Sequence, residues 1–93
     1  MGKEQLEIIL KQFEELNERR RLAMITINQK KRAIEMSSVD KDIANYAAFI
    51  PFELKEIFNK RIGPNSLNYQ HADDISYCID ILRDLIKQRN NSI

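Results

Sequence analysis

Residues 19–32 hold six cations and no carboxylate: Arg19, Arg20, Arg21, Lys30, Lys31 and Arg32. Guanidinium and ammonium groups at this density can bind a carboxylate, a phosphate or an acidic protein surface. Arg19, Arg20 and Lys30 are the candidate anion-binding set. Arg20 stands out because it falls at the centre of an apolar helical stripe, between Leu16 and Ala23, where a charge needs a partner. An ion pair with Asp80 or Asp84 on a facing helix would make it structural, and an anion held inside the bundle would make it functional. His71 and Cys78 are the sole residues of their kinds. Two such ligands fall short of the four that a structural zinc site needs, so no metal and no cofactor is expected. Cys78 shares the core spacing of Ile75, Ile79 and Leu82, which argues for a packed thiol and not for a nucleophile.

These side chains must be positioned by helices. From Lys3 to Met36 no breaker interrupts the chain, and Leu6, Ile9, Phe13, Leu16, Ala23, Ile27 and Ile34 recur at spacings that place them on one helical seam. The pattern predicts one long N-terminal helix over residues 3–36, about 50 Å long at 1.5 Å per residue. Ser37 and Asp40 suit a capping box that opens a second helix near 38–49. Pro51 and Glu53 start a third, with Leu54, Ile57, Phe58 and Ile62 at helical spacing, and Gly63 with Pro64 ends it. Residues 63–70 read as the one real loop. Asp73 and Asp74 suit the positive end of a last helix from about 71 to 90, with a seam of Ile75, Cys78 or Ile79, Leu82, Leu85 and Ile86. Tyr46, Phe49, Phe52 and Phe58 straddle the Pro51 break and are expected to lock that corner.

The resulting expectation is an all-α fold: a single domain over residues 1–93, built as a small antiparallel helical bundle with one long N-terminal helix, two short middle helices and a C-terminal helix. Composition agrees with it. Two glycines, two prolines, 43% apolar and 31% charged residues exclude both a disordered chain and a turn-rich β fold. A net charge of +1 provides no global attraction to nucleic acid or an anionic membrane. No apolar run is long enough to span a bilayer, the first residues lack a secretory signal's apolar stretch, and one cysteine excludes an intrachain disulfide. A cytoplasmic location without membrane association is expected.

The long helix is electrically split, with five glutamates against two lysines over residues 3–18 and the six cations beyond. Its basic half, read as one helix, suits the negative end of the helix dipole. Leu22, Ile25 and Met36 with Ala33 make a second apolar patch nearly opposite the main seam, and two apolar faces imply two sets of neighbours. That patch, rimmed by Arg21, Lys30 and Arg32, is the expected partner-binding surface, for an acidic protein or a second copy in a coiled-coil homodimer. The expected function is a helical protein–protein interaction module: an adaptor, inhibitor or regulator rather than an enzyme. A nucleic-acid-binding regulator using the basic half is the alternative, though no aromatic residue interleaves with the cations.

Glu18-Arg19-Arg20-Arg21-Leu22-Ala23 followed by Lys30, with Gln88 in the last helix, resembles the corresponding segments of the small all-helical chorismate mutases. The resemblance covers about 20 residues and implies an intertwined helical dimer in which Arg19 and Lys30 bind the substrate's carboxylates and ether oxygen. Helix 2 carries Asp40, Lys41, Asp42 and Asn45 where that family has an arginine–glutamate pair. A chorismate-mutase-like enzyme is therefore carried as a further alternative.

Overall fold

The structure, a computed structural model, describes residues 2–63, 68–69 and 71–91. It is all-helical among these residues: α1 (Lys3–Met24), α2 (Gln29–Ala47), α3 (Phe52–Ile62) and α4 (Ala72–Asn91). The small helical bundle expected from the sequence is what forms, with α1 between α2 and α4, and α3 packed on α4.

The expected helix over 3–36 does not form as one piece. Ile25, Thr26 and Ile27 are three successive β-branched residues, which lose side-chain freedom in a helix. The Thr26 hydroxyl turns back to share its proton between the Leu22 carbonyl (3.1 Å) and the Glu35 carboxylate (3.0 Å). Asn28 then caps α2, its side-chain oxygen accepting from the Lys31 amide at 3.0 Å. Ser37 and Asp40, the expected capping box, lie in the middle of α2 instead.

Matched lengths give the physical reason. A 22-residue α1 and a 19-residue α2 can pack antiparallel along most of their length, whereas a break near residue 37 would leave about a dozen residues of α1 without a neighbour. The earlier reversal lets Val39, Ile43 and Ile50 enter a core with Leu6, Ile9, Phe13 and Leu16. Each such burial stabilises by about 1.5–3 kcal/mol, which outweighs the few helical hydrogen bonds lost at the turn, each worth about 1 kcal/mol net. Ile27 and Ile34, placed on the core seam by the continuous reading, are instead 94% and 70% exposed.

The remaining elements follow their signals. Pro51 caps α3, and the Leu54 and Lys55 amides both donate to its carbonyl at 3.0 Å. Gly63 closes α3 at φ 124°, a backbone conformation that favours glycine. Pro64 and most of the expected loop lie outside the described residues. Asp73 and Asp74 occupy the first turn of α4, and Ile75, Cys78, Ile79, Leu82 and Leu85 are buried as its seam requires. The aromatic corner is different from expectation: Phe49 and Phe52 are exposed, and the cluster that forms is Phe13 with Tyr46, Phe58 and Tyr69, at centroid distances of 5.7, 6.1 and 6.2 Å. Ion pairs clip the edges, Arg19 to Asp42 at 2.8 Å between α1 and α2, and Arg61 to Asp84 at 2.9 Å between α3 and α4.

Candidate functional site

The contact between Thr26 and Glu35 fixes the register of the α1–α2 hairpin, so residues 29–34 run past the end of α1. The molecule is accordingly elongated, 51 × 26 × 19 Å. This projecting end carries the exposed isoleucines Ile25, Ile27 and Ile34 together with Lys30 and Lys31, and Leu22 is exposed one turn back on α1.

The six cations are distributed by the reversal. Arg19 donates to Asp42, and Arg21 donates to both oxygens of Glu18 at 3.0 and 2.6 Å. That pairing holds the Glu18 carboxyl below and the Arg21 guanidinium above their ordinary ranges. Lys31 approaches Glu35 at 4.0 Å. Lys30 and Arg32 form no ion pair among the described residues.

Lys30, Lys31 and Arg32 do not stand at a helix C-terminus, as the continuous helix required. They open α2, whose first turn contains no acidic residue. The N-terminal end of a helix carries a partial positive charge, so each cation there is destabilising by about 0.3–1 kcal/mol. The hairpin end thus gathers three cations, of which Lys30 and Arg32 form no ion pair among the described residues, beside exposed aliphatic surface.

The two apolar faces of the continuous reading are also redistributed. Leu22 is exposed on α1 and Ile25 just past its end, whereas Ala33 is exposed and Met36 half-buried on α2, so these four do not share one helix face. Likewise the eleven-residue helical register that would align Arg19 with Lys30 does not exist, because Lys30 lies beyond the turn. Arg19 lines the grooves between α1 and α2, with Gln12, Leu16, Asp42 and Phe49 on one side and Leu22, Glu35 and Val39 on the other, and Lys30 lines neither. Gln88, the third residue of the resemblance, is exposed and donates to Asp84 at 3.1 Å.

Arg20 is half-buried, and its expected partners are engaged elsewhere: Asp84 with Arg61, and Asp80 with Arg83 at 3.9 Å. Its Nε and Nη1 are shielded from solvent with no hydrogen-bond partner among the described residues. The ion pair with Asp80 or Asp84 does not form. Cys78 is fully buried, and burial pushes its thiol up to about 12, with Asp74 adding to the shift. Burial likewise raises the Tyr69 hydroxyl to about 12. His71 is exposed just before α4. No group of three or more metal-ligating side chains occurs among the described residues, and no described helix is long and apolar enough to cross a membrane.

Sequence reasoning missed the exposure of Ile27 and Ile34, and hence the projecting end itself. The available signal was the β-branched run before Asn28, a good helix-capping residue. Comparison with protein-family models, curated proteins and solved structures finds no match for this chain.

Two expected outcomes follow from the buried polar groups. Replacing Arg20 by Met removes shielded donors that lack acceptors while keeping the side chain's bulk, so the unfolding free energy in urea is expected to rise by about 1 kcal/mol; a comparable loss would contradict this. For Cys78 the folded value lies above the ordinary one, so its contribution to stability is complete below about pH 9 and is lost as the pH rises through about 12. Stability is therefore expected to fall in alkali, less steeply in Cys78→Ala, with Tyr69 supplying part of the remaining slope. The same substitution costs about 1–2 kcal/mol at neutral pH.

Proposed function

We propose that this chain is a helical protein–protein interaction module that docks through the projecting end of the α1–α2 hairpin onto an acidic, partly apolar partner surface. The observation that carries the reading is the placement of Lys30, Lys31 and Arg32 at the positive end of α2, next to exposed Ile25, Ile27 and Ile34. This arrangement weakens the isolated fold, and an acidic partner converts the same charges into binding energy. Exposed aliphatic side chains supply the area that water leaves on docking, and the cations steer approach and orientation. An adaptor, inhibitor or regulator needs no more than such a surface.

The reading makes opposite demands on stability and binding at one residue. Lys30→Glu places an acid in the first turn of α2, where the helix end favours it, and is expected to stabilise the fold by about 0.5 kcal/mol. The same change removes a steering charge. Affinity capture from the native host, identified by mass spectrometry and repeated with purified partner, is expected to show binding weakened in Lys30→Glu and abolished in Ile27→Asp. Equal capture by the wild type and both variants would overturn the reading.

A further inference from the structure

The solvent face of α1 carries a second stripe that the core does not use. Glu4, Ile8, Lys11, Glu15, Glu18 and Leu22 alternate at spacings of four and three, Ile25 follows just past the helix end, and every one of them is exposed. That alternation is the spacing of a seam between two helices. Ile8 and Leu22 flank the charged Lys11, Glu15 and Glu18 at equal distances from Glu15, with Glu4 beyond Ile8.

A two-fold axis perpendicular to α1 at Glu15 runs the two copies antiparallel and sets Ile8 of one against Leu22 of the other. It also brings Lys11 within one residue, about 1.5 Å along the axis, of Glu18. Each contact occurs twice, as a self-complementary interface requires. A parallel pairing would stack Lys11 on Lys11 and Glu18 on Glu18, so charge selects the antiparallel arrangement. The same rotation sets Glu4 of one copy level with residue 26 of the other, at the hairpin end that carries Lys30. Neither Lys30 nor Arg32, nor Glu4 or Glu15, forms an ion pair among the described residues, so these charges need give up no partner. The Glu18–Arg21 and Lys3–Glu7 pairs lie on the exposed surface and hold their carboxylates weakly.

We infer that the outer face of α1, which runs into the hairpin end at Leu22, is occupied by a second copy of this chain, joined as an antiparallel dimer. This deepens the reading above: it rests on the assignment of the hairpin end at Ile25 as a docking surface and extends that surface along α1. The stripe is about 30 Å long, and its aliphatic content is small beside a standard interface of about 800 Å² per partner. The dimer is accordingly a micromolar one. Glu15 meets its own copy at the axis, which is the one unfavourable contact the arrangement contains.

Sedimentation equilibrium of the wild type and of Lys11→Glu, Glu18→Lys and the combined variant tests the arrangement. The wild type is expected to pass from one to two chain masses across the micromolar range. Each single substitution places like charges against each other twice and is expected to weaken the dimer about tenfold, while the combined variant reverses both charges and returns to near the wild-type constant. Circular dichroism of each variant confirms that the bundle is intact. Glu15→Leu is expected to tighten the dimer. A wild type with one chain mass up to millimolar concentration, or a combined variant no tighter than the singles, would overturn the inference. The capture experiment with Ile27→Asp is independent of that outcome and would still decide whether the hairpin end docks on another protein.

Discussion

The reversal at residues 25–28 is the constraint on which the rest of this structure depends. It cuts the N-terminal amphipathic segment into two helices of nearly equal length, and only then can α1 lie between α2 and α4 with its seam buried. The local chemistry is modest: a threonine hydroxyl turned back onto the preceding helix, and an asparagine cap. Neither would stop a helix unaided, since a cap contributes only about 1 kcal/mol. The decisive contribution is burial of the α2 face against α1.

Two consequences follow from the same event. The residues just past the reversal lose any neighbour, which is why Ile27 and Ile34 are exposed although their spacing matches the core seam. The cations that follow Asn28 come to lie at the positive end of a helix dipole. Core packing therefore creates the projecting end and gathers Lys30, Lys31 and Arg32 at the positive end of α2. The wedge of positive charge and aliphatic surface is a by-product of solving the core.

Much of this fold could be read from the residues. Leu6, Ile9, Phe13 and Leu16 on α1, and Ile75, Cys78, Leu82 and Leu85 on α4, announce their burial by spacing alone, and Pro51 and Gly63 bound α3 as their backbone preferences require. The reversal was hidden because Lys30, Lys31 and Arg32 are good helix formers and no glycine or proline marks the turn. Arg20 shows a different gap. Its place on the seam identifies an anomalous, half-buried charge, but whether Asp80 or Asp84 can reach it depends on how α4 sits along α1, and the structure commits those carboxylates to Arg83 and Arg61. The exposure of Phe49 and Phe52 was equally illegible, since it depends on the angle at which α3 leaves the corner.

The candidate site was legible in part. Leu22, Ile25, Met36, Arg21, Lys30 and Arg32 are expected together from a continuous helix; all but the half-buried Met36 and Arg32 are exposed, yet they flank a turn instead of sharing a face. Amide hydrogen exchange of residues 20–36, followed by NMR, tests the central claim most directly. Ile27 and Asn28 are expected to exchange near the rate of an unstructured chain, between protected amides at Arg20 to Met24 and from Arg32 onward. Protection running unbroken from Arg20 through Lys31 would mean one continuous helix and would contradict the account.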